Sequence, residues 1–217
     1  MTALLLLVFF GAIAYLSSKK RDTELSPIPL KISDKMSNLW EIAHDGMKSN
    51  RLIRAEKALL TILNIDKKNA AAYNRLGILY AKQKEFKDAI DCFEIASSIE
   101  PSASSLHNLG LIYYETENYE KAATAFDQAL KLEENMAARH IAYAKVQERL
   151  GNQSQVVTSL ERAVDLEATQ ESLTLLYRAY IAANRSADAK LIEAKLHTQR
   201  NQKGVPKRVR RAKRVVV

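Results

Sequence analysis

Tyr73-Asn74-Arg75-Leu76-Gly77-Ile78-Leu79-Tyr80 is answered 33 residues later by Leu106-His107-Asn108-Leu109-Gly110-Leu111-Ile112-Tyr113. After the first comes Ala89, Phe93, Ala96 and Pro101; after the second, Ala122, Phe126 and Ala129 at the same offsets. Apolar residues three and four apart mark one face of a helix. Two such helical stretches, copied at a fixed distance, mark a repeat. Thirty-four residues before Gly77 stands Ala43, with Leu39 and Ile42 ahead of it and Ala55, Leu59 and Ile62 behind. The same step beyond Gly110 reaches Ala144, flanked by His140 and Tyr143 and followed by Leu160 and Ala163. A fifth, eroded unit reads Leu173, Leu176, Tyr177, Tyr180, Ala189 and Leu196, and is placed as the end cap.

In this pattern the chain resembles the tetratricopeptide-repeat (TPR) family over roughly residues 34–199. The resemblance implies an all-α fold, an α-α superhelix of about five helix pairs, with units at approximately 36–69, 70–102, 103–136, 137–170 and 171–199. No period-two run of β-branched residues bounded by turns argues for strands. Glycine inside a helix costs roughly 1 kcal/mol relative to alanine. Gly77 and Gly110, with Ala43 and Ala144 at the matching positions, are therefore read as close contacts between paired helices, with Tyr73, Leu76, Tyr80 and Phe93 filling the space around them. Short polar turns at residues 84–86, 117–119, 151–153 and 184–186 separate the helices of a pair, with glycine, asparagine and serine expected to supply turns and N-caps.

Residues 1–18 are different material. They carry no charged side chain, run apolar from Ala3 to Leu16, and are followed at once by Lys19, Lys20 and Arg21. Eighteen helical residues reach about 27 Å, close to the hydrocarbon thickness of a bilayer. The reading is an N-terminal transmembrane helix, an uncleaved anchor. A secretory signal, with Ala12-Ile13-Ala14 as its cleavage site, is disfavoured because basic residues follow the apolar run and do not precede it. The positive-inside rule then places the N-terminus outside and the repeats in the cytoplasm, as a single-pass membrane protein. Residues 19–33, with Pro27 and Pro29, read as a basic juxtamembrane segment and extended spacer.

The charge sits at the other end. Eight of the 33 basic residues lie between Thr198 and Val217, where there is no acidic residue, so the formal charge of +8 belongs entirely to the tail. Residues 200–217 are expected to be disordered in isolation, broken by Gly204 and Pro206 and without aromatics. Lys207, Arg208, Arg210, Arg211, Lys213 and Arg214 suit an anionic lipid surface or nucleic acid, the latter without base stacking and so without sequence preference.

The family resemblance implies that the first helix of each pair lines an inner groove. Carried over, the protein-binding positions are Trp40, His44 and Met47; Asn74, Ile78 and Ala81; His107, Leu111 and Tyr114; Ile141, Lys145 and Glu148. Some relatives clamp a C-terminal carboxylate there. Only Asn74 and Asn108 resemble parts of such a clamp, and Ile78 replaces its key asparagine, so carboxylate capture is not expected. The mostly apolar and aromatic set suits an apolar or amphipathic protein segment.

Catalysis finds no support in these residues. The histidines His44, His107, His140 and His197 form no pair with metal-ligand spacing, and Cys92 is alone, so no metal or cofactor is expected. No phosphate loop or nucleophile motif occurs. The chain reads as a membrane-anchored scaffold or adaptor that helps assemble a complex, similar in anchor and repeats to bacterial membrane-bound TPR assembly factors. The alternatives are a nucleic-acid or ribosome tether acting through the tail, and an exported envelope-assembly protein.

Overall fold

The computed structural model describes residues 30–204, and side chains within them from 32 to 199. The predicted anchor, the proposed signal cleavage site and the six basic residues from Lys207 to Arg214 lie outside these. Among the described residues the structure is all-α, with α1 (Leu30–Lys48), α2 (Leu52–Ile65), α3 (Ala70–Gln83), α4 (Phe86–Ile99), α5 (Ala103–Glu115), α6 (Tyr119–Leu132), α7 (Ala137–Arg149), α8 (Gln153–Leu166), α9 (Gln170–Ala182) and α10 (Ser186–Gly204). No described helix is long and apolar enough to cross a membrane. The chain divides into two compact units, Met1–Asn64 and Ile65–Val217.

Each turn within a pair is built from one left-handed residue: Asn50, Lys84, Glu117, Gly151 and Asn184, with φ between 57° and 76°. The next residue donates its N–H to a carbonyl five positions back, as Arg51 does to Gly46, Glu85 to Tyr80, Asn118 to Tyr113, Asn152 to Gln147 and Arg185 to Tyr180. These bonds satisfy carbonyls that a helix end leaves without a partner. The expectation of side-chain N-caps in these turns is corrected here, since Glu85, Asn118 and Asn152 make no side-chain cap bond. Side-chain capping occurs between pairs, where Asn69 accepts from Ala72, Ser102 from Ser105, and Thr169 from Ser172 in a reciprocal capping box.

Two boundaries also move. Residues 30–33, the last of the expected spacer, are helical and belong to α1. Residues 200–204 of the expected disordered tail are helical too, continuing α10.

In the second unit each helix packs on its chain neighbours, α3 on α4, α4 on α5, and so on to α10. First helices also touch across pairs, α3 with α5 and α5 with α7, and this puts them on the inner side of a curved stack. Between α3 and α7 the core gathers Ala89, Phe93, Leu109, Ile112, Tyr113, Ala122, Phe126 and Val146. A second cluster joins Ala144, Val156, Leu160, Leu173, Leu176, Tyr180, Ala189 and Ile192. Successive pairs are also tied by tyrosines: Tyr113 on α5 donates to Glu94 on α4, and Tyr180 on α9 donates to Glu161 on α8 at 2.8 Å. Burial and the bonded carboxylate push the Tyr180 phenol up to about 12.

Aligned on their left-handed turns, the pairs obey a volume rule at one contact. Gly77 faces Phe93 and Gly110 faces Phe126, whose rings lie within 2.9 Å of where a Cβ would begin. In the fourth pair the corresponding residues are Ala144 and Leu160, both buried. In the last pair the rule inverts, with half-buried Tyr177 in the small position and exposed Glu193 in the large one. Within the first unit, Gly46 brings α1 so close to α2 that a Cβ there would lie 3.0 Å from the Ala55 backbone nitrogen.

Candidate binding groove

The inner face of the second unit is shaped by what α5 and α7 do not bury. Heptad-like spacing on α5 sends Leu106, Leu109, Ile112 and Tyr113 into the core, leaving His107, Leu111 and Tyr114 on the other side. Leu111 keeps 40% of its surface exposed. On α7, Ala144 and Val146 are buried while Ile141 and Lys145 face the same opening. The result is a cavity of about 330 Å³ lined by His107, Leu111, Tyr114, Glu115, Phe126, Ala138, Ile141, Ala142, Lys145 and Glu171. It is concave and largely apolar, with charge confined to Glu115, Lys145 and Glu171.

Its walls are held by specific contacts. The Tyr114 and Tyr119 rings meet edge-on at 5.6 Å. The Arg149 guanidinium lies about 6 Å from each ring centroid, within cation–π range. At the other wall the His107 ring meets Phe126 edge-on at 5.3 Å. Its Nδ1 is buried with no hydrogen-bond partner. Burial, then the charge of Arg139, hold the His107 imidazole below its ordinary range, so the ring is neutral near pH 7.

Arg139 itself is 1% exposed. Its Nη1 donates to the Glu133 backbone oxygen at 2.9 Å and its Nη2 to the Glu133 carboxylate at 2.8 Å, while Nε has no partner. Counted from the turns, Arg139 occupies the slot of Ala72, Ser105 and Ser172, all of them buried. In the next pair Ser172 uses that slot to donate to the Glu167 carbonyl at 2.8 Å. Both residues thus tie the start of a first helix to the carbonyl that caps the helix before it. Sequence reasoning missed Arg139, although a long cation at a small-residue position was the readable sign.

Of the residues read from sequence, the cavity brings together His107, Leu111, Tyr114, Ile141 and Lys145. Glu148 lies with Lys145, Arg178 and Leu175 in a smaller cavity of about 120 Å³ between α7 and α9. Asn74, Ile78 and Ala81 are half-buried on α3; Ile78 and Ala81 pack against the core, and Asn74 accepts a 3.4 Å hydrogen bond from Asn108. Trp40, His44 and Met47 lie on α1 in the first unit, His44 exposed and the other two half-buried. Glu115 and Ala142 were missed although they adjoin the carried-over Tyr114 and Ile141, and Ala138 and Glu171 were missed because they stand near the starts of α7 and α9, where no position was carried over.

No group of three or more His, Cys, Asp or Glu among the described residues is placed to hold a metal ion. The Cys92 thiol is buried on α4, and burial, then Asp88 and Asp91, push it up to about 11, far from a nucleophilic thiolate.

Residues 68–135 match a family model described as a tetratricopeptide repeat. Among solved structures, the chain is similar to a crystal structure of MamA protein at 17% identity, with a TM-score of 0.70 and 79% of this chain and 94% of that chain covered. A MamA structure from Desulfovibrio magneticus RS-1, spanning its residue 41 to the end, gives 13% identity, TM-score 0.70 and coverage of 79% and 98%. YrrB, described as a TPR protein with an unusual peptide-binding site, gives 19% identity, TM-score 0.62 and coverage of 71% and 80%. Likeness at these identities establishes the fold. No curated protein matches the chain in sequence.

Proposed function

Since residues 68–135 match the tetratricopeptide-repeat model and the fold is shared with solved structures that include a TPR protein, we propose that the chain is a protein-binding scaffold whose second unit takes an apolar or amphipathic partner segment in the groove between α5, α7 and α9. The observation that carries this reading is the 330 Å³ cavity with Leu111 exposed at its floor and aromatic side chains at its walls. Such an opening suits one buried anchor residue of a partner, the usual source of affinity in small interfaces. The peptide-binding site in the description of YrrB is consistent with that use of the fold.

Membrane attachment is part of the same proposal. It rests on the uncharged run of residues 1–18 and the three basic residues that follow, which favour a single-pass anchor with the repeats in the cytoplasm. The scaffold then holds its partner at the membrane surface.

The deciding experiment is affinity purification of the full chain from detergent-solubilised membranes, in parallel with Leu111→Asp. Loss of specific protein partners from a variant whose helical circular dichroism is unchanged supports the groove. Retention of every partner by a folded Leu111→Asp chain removes it. Alkaline extraction of the same membranes tests the anchor, and a mature N-terminus following Ala14 would replace it with a cleaved signal.

A further inference from the structure

The groove's rim and the sequence beyond Gly204 carry opposite charge, and the described end of α10 lies near that rim. From Glu100 to Glu171 the sequence has twelve acidic residues against six basic ones. Beyond Gly204, the last described residue of α10, residues 205–217 contain six basic residues, no acidic one, and valines at 205, 209 and 215–217.

The exit point of the tail is fixed near the rim. Gln199 Nε2 on α10 donates to the Ala168 carbonyl at 2.8 Å, which sets the last described part of α10 beside the loop between α8 and α9. Glu167 lies on one side of that contact and Glu171, a lining residue of the cavity, on the other. Glu115 and Glu167 make no ion pair among the described residues, and Glu171 meets Lys145 only at 3.7 Å with both side chains well exposed. An exposed pair of that kind is weak and exchangeable. Thirteen residues beyond Gly204 reach about 40 Å when extended. Crossing from α9 over α7 to α5 requires about 20 Å at ordinary interhelical spacings.

We infer that residues 205–217 fold back over α9 and α7 and occupy the groove of their own chain, as a resident competitor of the partner. The basic side chains meet Glu167, Glu171 and Glu115, and the valines cover Leu111 and Ile141. Tethering supplies a high effective concentration, so a weak contact suffices to fill the site. A partner must displace the tail, and whatever engages the basic residues elsewhere opens the groove. This inference rests on the groove reading above.

The test places a benzophenone amino acid at Val209 in the full chain, mixes isotopically light and heavy copies, and maps photo-crosslinks by mass spectrometry. The expected result is crosslinks within single copies from position 209 to α5, α7 and α9. They should fall about five-fold between ionic strengths of about 0.1 M and about 1 M, as the screening length shrinks from about 10 Å to about 3 Å. They should fall similarly in the Glu115→Lys, Glu171→Lys double variant. Crosslinks that miss these helices, that join only light to heavy copies, or that go to lipid or nucleic acid overturn the inference. The two readings fail separately. If Leu111→Asp abolishes partner capture while crosslinks miss the groove, the binding role stands and self-occupancy falls. If crosslinks fill the groove but Leu111→Asp keeps its partners, self-occupancy stands and the partner site lies elsewhere.

Discussion

A Cβ placed on Gly110 would begin 2.9 Å from the ring of Phe126, which is itself fully buried on the facing helix. The same relation holds between Gly77 and Phe93 at 2.7 Å. The glycine is therefore kept against its helix-propensity cost because the facing ring fills the space a side chain would need.

Gly110→Ala should destabilise the protein by about 1–3 kcal/mol, because overpacking outweighs the propensity gained. Adding Phe126→Leu recreates the small–large pair found at Ala144 and Leu160, and should recover part of that loss. Urea denaturation of both variants measures it; a single variant as stable as the parent would refute the contact.

Glu117 sits at φ 61° in its turn, where a residue with a Cβ is strained. Glu117→Gly removes that strain but adds unfolded-state entropy. A net gain of about 0.5–1 kcal/mol is expected. Gly151→Ala, in open space but at φ 76°, should lose stability by a similar amount. Opposite shifts in thermal midpoint are the readout.

The Arg139–Glu133 pair joins a buried cation to a carboxylate that is about half exposed. Glu133→Ala leaves the guanidinium with fewer partners and should cost about 1–3 kcal/mol, less than for a pair buried on both sides. Arg139→Met removes the charge and should cost less than Glu133→Ala. The reverse order in chemical denaturation would contradict this assignment.

Titration of His107 makes an acid-side prediction. Its folded value is lowered from 6.5 by burial and by Arg139. Below pH 6.5 the unfolded chain takes up a proton that the folded chain refuses, so stability falls as pH drops from there towards the folded value, and the contribution is fully present above pH 6.5. His107→Leu should flatten the dependence of melting temperature on pH in that interval. An unchanged slope would show that other groups set it.

The repeat was legible in the sequence because it is written in volumes: Gly77 with Phe93, Gly110 with Phe126, and their spacing. The turns were located but not their geometry. Lys84 and Glu117 adopt left-handed backbone that their side chains disfavour, and hydrogen bonds five residues back impose it. The groove was legible where one helix supplies several members, as His107, Leu111 and Tyr114 show. Glu171 was not, because it joins the site from another repeat, where it stands 3.7 Å from Lys145. The burial of Arg139 depends on a carbonyl six residues upstream, and no periodicity announces it.

The left-handed residues at 50, 84, 117, 151 and 184 are separated by 33 or 34 positions, whatever amino acid stands there. Each turn therefore delivers the backbone in the same direction into the second helix of its pair. Growth or shrinkage of such a chain is quantised: a loss of one whole pair preserves every remaining junction, whereas a loss of half a pair exposes an apolar helix face. Length is inherited here in units of two helices, and the groove lengthens or shortens by one first helix at a time.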